Sequence, residues 1–214
     1  MKSRAGFIGL IAFLGALAVA PTKDDLDAVH KGFASYKSAL LAKDGSAAAA
    51  AVSANSLAFY DRMRTLALAG TKAEVQALDG IEQVLVLNLR VRAPRALLRS
   101  GSAEALIAHA VDEGMISPGM VARTELNEIE LRGAEAEATL LLDGHPIAGG
   151  GFLFHRERDL WKFDLEHASL LARGTLRQLA EQRGVTQDAL ILELLSRSSG
   201  RPVGPEVWEP PGAN

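Results

Sequence analysis

The sequence predicts an α+β fold: N-terminal helices packed on a curved antiparallel sheet of about four strands, followed by C-terminal helices. Two observations carry this. Apolar residues recur at spacings of three and four through most of the chain before Gly114, the period of a helix face. From Val121 to His167 they alternate, with turn signals between the runs, the period of half-buried strands.

The helices come first. Leu26, Val29, Phe33, Tyr36 and Leu40 share one face, and Asp44-Gly45 stops that element. Ser46 is placed to cap a second helix, favoured by an alanine run, whose inner face continues through Val52, Phe59, Met63 and Leu66 to Gly70. Thr71 with Glu74, and Asp79 with Glu82, have capping-box spacing, in which each side chain satisfies an unpaired backbone N–H. The stretch "VLVLNLRVR" after Asp79 alternates like a strand. Ile81, Val84, Leu85 and Asn88 nevertheless fall on one helical face, so a helix is expected, ended by Pro94. Ala103, Leu106, Ile107, Ala110 and Val111 form another, closed by Gly114.

Four strands follow, at about 121–132, 134–142, 146–157 and 160–167. Arg132-Gly133 and Glu157 to Asp159 mark turns. Asp143-Gly144 is the strongest hairpin signal, because both residues tolerate positive φ. Gly149-Gly150-Gly151 inside the third strand implies a bend, a bulge or a close approach. Leu176, Leu179 and Ala180 then give one helix an inner face, and Thr186 caps another. Residues 198–214 are rich in Gly and Pro and read as an extended, partly mobile tail, with Val207 and Trp208 able to dock.

The N-terminus stands apart. Lys2 and Arg4 precede an apolar run, Ala5 to Ala20, shorter than the about 20 residues a spanning helix needs. This reads as a secretory signal over residues 1–18, with Ala16-Leu17-Ala18 as the cleavage site; an uncleaved inner-membrane anchor is the alternative. A single domain over 25–197 follows. The chain has no cysteine, which removes disulfides, thiolate metal sites and a cysteine nucleophile, and suits a bacterial periplasm or secretion. The formal charge of −3 offers no basic field for nucleic acid. Membrane contact is expected only through the N-terminal segment.

The order of elements, and "FHRERDLWKFDL" at 154–165, where a charged turn leads into a tryptophan-bearing strand, resemble the nuclear-transport-factor-2-like superfamily. Its cone-shaped fold includes ketosteroid isomerase. "FYDRMRTLAL" at 59–68 and "AHAVDEGMI" at 108–116 are similar to segments of exported bacterial proteins of this type. The resemblance covers residues 25–170. It implies helices over the concave side of the sheet, a pocket between them, and members that bind a small molecule or dimerise through the sheet. It carries no catalytic residue across, since no isomerase or dehydratase motif matches residue by residue.

The chemical candidates are few. Tyr60 and Arg64 share a helix face beside Asp61 and are able to hold a carboxylate or carbonyl if that face looks into the cone; surface ion pairing is the plainer reading. His109 and Asp112 are three apart and share a face. Trp161, Phe163 and Leu165 should face the core, leaving Lys162, Asp164 and Glu166 in water. His155 and Glu157 are one pair on a strand, where a zinc site needs at least three protein ligands, so no metal is expected. No G-x-S-x-G elbow or phosphate loop is present, and no cofactor is implied. The speculative pocket is therefore Tyr60, Asp61, Arg64, His109, Asp112 and Trp161. The expected function is an exported, non-catalytic domain that binds a small ligand or an envelope protein. The alternative is an acid–base isomerase or dehydratase, with Tyr60 and Asp61 or Asp112. Glu135, Glu137 and Thr139 make one sheet face polar, so a homodimer through it would be wet.

Overall fold

Helix α1 (Lys23–Ala42) opens on a reciprocal cap: the Thr22 hydroxyl accepts from the Asp25 N–H while the Asp25 carboxylate accepts from the Thr22 N–H. This computed structural model describes residues 22–116 and 118–211. The expected leader and residues 212–214 lie outside the described residues. Val29, Phe33, Tyr36 and Leu40 are buried along α1, as their spacing requires. Asp44, not Ser46, caps α2 (Gly45–Ala51): its carboxylate accepts from the Ala47 N–H at 2.9 Å, and Ser46 already lies inside the first turn.

The single helix expected up to Gly70 is two. The chain is extended at Val52 and Ser53, and Ser53 caps α3 (Ala54–Ala69). The cause is tertiary. Val52 bridges Phe163, and the Ser53 N–H donates to the Phe163 carbonyl at 2.9 Å, so the sheet takes a bond that would have continued the helix. Helices α4 (Lys72–Gln76) and α5 (Gly80–Arg92) begin on the two expected capping boxes. "VLVLNLRVR" is thus helical, but its fully buried residues are Gln83, Val86, Leu87 and Leu89. The Ile81–Val84 side packs against a smaller cluster formed by Leu176, Ala180 and Leu190. A short α6 (Arg95–Ser100) precedes α7 (Ala103–Asp112), which Ser102 caps, and α8 (Gly119–Arg123).

The sheet is antiparallel in the order β1 (Thr124–Arg132), β2 (Glu135–Leu142), β3 (His145–Glu157), β4 (Leu160–Phe163). The fold is therefore α+β as the periodicity predicts. Asp143 and Gly144 take positive φ, 51° and 79°, in the β2–β3 turn. The register slips between Thr139 and Leu141, opposite the glycine run, which marks a bulge. Two strand bounds change by more than one residue. Residues 121–123 belong to α8. The fourth strand stops at Phe163, because Asp164 caps α9 (Leu165–Leu170) by accepting from the His167 N–H at 2.8 Å.

Helices α10 (Thr175–Arg183) and α11 (Gln187–Ser199) pack on α5. The tail does not stay extended. A 3-10 turn, Pro205–Trp208, puts Trp208 into the main core at 2% exposure. The Arg90 guanidinium from α5 holds it there. It donates to the Val207 and Trp208 carbonyls, and also to those of Leu66, Ala67 and Gly70 at the end of α3. The guanidinium has five N–H groups, and this arrangement supplies carbonyls to all its nitrogens.

Between α1 and the sheet the rings of Phe33, Tyr36, Phe152, Phe154 and Phe163 meet, with Phe163 centred 4.8 Å from both Tyr36 and Phe152. The inner side of the sheet is therefore filled by aromatic packing. Among the described residues no helix is long and apolar enough to cross a membrane.

Candidate functional site

Two features at the β4 edge have chemistry to offer. The first is a polar cluster on the open side of β3. Asp164 is expected on a solvated face, yet it is 3% exposed. The alternation does not reach Asp164 because β4 ends at Phe163, four residues earlier than expected, and the chain turns to begin α9. A carboxylate only accepts, so the 2.7 Å contact between His155 Nε2 and Asp164 Oδ2 puts the imidazole proton on Nε2. Asp164 Oδ1 takes the His167 N–H. His155 Nδ1 then faces Glu135 Oε1 at 3.7 Å, and the Asn55 amide lies 3.3 Å from Nε2. Glu157 accepts from the Ala54 N–H at 2.6 Å.

Behind this cluster the buried Ser53 and Ser56 are closed to chemistry. Their hydroxyls are 3.0 Å apart; Ser56 Oγ donates to the Phe163 carbonyl and accepts the Leu165 N–H. Ser53 Oγ accepts the Ser56 N–H. Both hydroxyl protons are spent, and these bonds join α3 to the β4–α9 junction.

The second feature is a groove of about 380 Å³ on the outer edge of β4, between α1 and α2. Ala28, Gly32, Ala47 and Ala50 make its helical walls, the exposed Leu160 supplies the large apolar surface, and the buried Trp161 lies at its floor. Gly32 permits this geometry: a Cβ there would lie 2.4 Å from the Trp161 carbonyl oxygen. Lys31, Asp159 and Lys162 stand at the rim. Lys162 Nζ donates to the Ala50 carbonyl, which ties β4 to α2. Ser35 is the one hydroxyl in the lining, and it donates to the Lys31 carbonyl at 2.9 Å.

The six residues singled out from sequence do not converge. Trp161 lines the groove. Tyr60 is buried on α3, and its phenol is pushed well above its ordinary value by loss of water. Asp61 turns outward and holds Arg64 at 2.7 Å; Arg64 also donates to the Leu98 carbonyl. Tyr60 and Arg64 therefore do not act on one ligand atom. Asp112 accepts the Gly45 N–H at 2.8 Å and so fixes the start of α2. His109 keeps Nε2 buried without a hydrogen bond among the described residues.

The sequence reading passed over Asp164 with His155, and the small residues of the groove. A signal existed for the second. A glycine inside an amphipathic helix costs about 1 kcal/mol against alanine, so Gly32 called for a close approach. Among the described residues no three His, Asp or Glu side chains are grouped to hold a metal ion. Comparison with known protein families, characterised proteins and solved structures finds no match.

Proposed function

We propose that this chain is an exported, non-catalytic domain of the cone-fold type that binds a small molecule in the groove between α1, α2 and β4. One observation carries the reading: the inner side of the sheet is filled by the Phe33, Tyr36, Phe152, Phe154 and Phe163 rings, while an apolar hollow remains outside, beside Trp161. Small-molecule sites are concave and mostly apolar, with few polar groups, and the groove has that make-up. The isomerase or dehydratase alternative needs a carboxylate beside the Tyr60 phenol. Asp61 and Asp112 are committed elsewhere, to Arg64 and to the Gly45 N–H. Export rests on the basic, then apolar, then small-residue pattern of residues 1–20.

The test is native mass spectrometry of the full chain recovered from a bacterial periplasm, beside an Ala50→Leu variant that fills the groove. A bound mass in the wild type that is absent from the variant supports the reading. Identical spectra with no bound mass, or a bound mass unaffected by the leucine, refute it.

A further inference from the structure

The lining of the groove restricts what can occupy it. Its walls are methyl groups and its large exposed surface is Leu160, 60% exposed, while Trp161, 5% exposed, closes the floor. The Ser35 proton is already used on the Lys31 carbonyl, so the body of a ligand meets no free side-chain donor there. A ligand with polar groups along its length would lose water without compensation. Charge is confined to the rim, where two cations face one carboxylate: Lys31 and Lys162 against Asp159. The Lys31 ammonium makes no hydrogen bond or ion pair with other described residues. Lys162 gives one N–H to the Ala50 carbonyl and keeps two.

Resting on the groove reading above, we propose that the ligand is a single-chain anionic amphiphile, its alkyl chain along Leu160 and the alanine walls and its carboxylate or phosphate head at Lys31 and Lys162. Each methylene buried on Leu160 and the alanine walls raises affinity about fourfold. A half-exposed ammonium contributes less, about twofold to fivefold for each ion pair. The chain thus supplies the affinity and the lysines choose the sign of the head.

The experiment is calorimetric titration of the full chain below micelle-forming concentrations. The ligands are decanoate, dodecanoate, dodecyl phosphate, dodecanol and dodecyltrimethylammonium. Dodecanoate should bind about sixteenfold more tightly than decanoate and about tenfold more tightly than dodecanol, and the cation least of all. Lys31→Glu should weaken all three anions about tenfold and leave dodecanol unchanged. Tighter binding of dodecanoate than of dodecyl phosphate assigns a fatty-acid head, and the reverse a lipid-phosphate head. Equal binding of dodecanol and dodecanoate, with Lys31→Glu silent, overturns the anionic head while leaving the groove intact if Ala50→Leu abolishes both. Failure of every amphiphile to bind, or binding that survives both Ala50→Leu and Ala47→Leu in variants with wild-type circular dichroism, overturns the head and the groove together. A dimer that dissociates in Ala50→Leu assigns the groove to a second copy and also refutes the proposal.

Discussion

Replacing Asp164 by alanine should cost about 3 kcal/mol of stability. The figure follows from the two bonds its carboxylate makes. Loss of the cap on α9, where Oδ1 accepts the His167 N–H, costs about 1 kcal/mol. Loss of the 2.7 Å bond from His155 Nε2, to a charged acceptor that is 3% exposed, costs about 1.5–3 kcal/mol. Asparagine caps as well as aspartate and is able to meet the other imidazole tautomer, so Asp164→Asn should lose only about 1 kcal/mol. The assay is equilibrium urea unfolding of wild type, Asp164→Ala, Asp164→Asn, His155→Ala and the double variant. The double-mutant cycle should return a coupling of about 1–2 kcal/mol between His155 and Asp164. If Asp164→Ala falls within about 0.5 kcal/mol of wild type, as for an exposed side chain, the residue does not hold α9 and His155 as described above and the reasoning fails.

Other expectations follow from the same structure. Gly32→Ala should destabilise by about 2 kcal/mol or more, since the new methyl meets the Trp161 backbone; an unchanged melting temperature would contradict the close approach. Trp208→Ala should cost about 3–5 kcal/mol by urea unfolding, because the ring is buried in the main core. Arg90→Lys should release the tail, as one ammonium has three N–H groups against the carbonyls that the guanidinium serves, and limited proteolysis near Val207 should accelerate. Burial raises the Tyr36 and Tyr60 phenols above the ordinary value of 10.0. The unfolded chain then loses these protons first, so their contribution to stability is full below about pH 10 and is lost as pH rises beyond it. Tyr60→Phe should flatten that alkaline loss in denaturation measured from pH 9 to 11.

The element types were legible because local and tertiary forces agree in most of the chain. The capping boxes at Thr71 and Asp79 and the Asp143-Gly144 turn are written in neighbouring residues, and each formed where its spacing put it. Errors occur where a distant backbone intervenes. Nothing near Val52 announces that Phe163 will take the Ser53 N–H, so one helix was expected in place of two. Asp164 reads as the wet member of an alternating strand until the chain turns after Phe163 and makes it a cap. The tail is the third case: Gly and Pro describe its backbone freedom, while Arg90, far away in sequence, decides its position. The groove was invisible for a related reason, since its walls are alanines whose meaning depends on which helix they face.

The Arg90 contacts also bear on molecules that fold in company. The side chain joins residues 117 and 118 positions apart, a loop whose closure is entropically slow and therefore late. Until it closes, a nearly finished body displays an empty slot for an indole and two carbonyls. That slot cannot tell its owner's tail from a neighbour's. Concentrated refolding should therefore yield tail-exchanged pairs, joined through short hinges at Gly200 to Gly204, which dilution before the last step avoids.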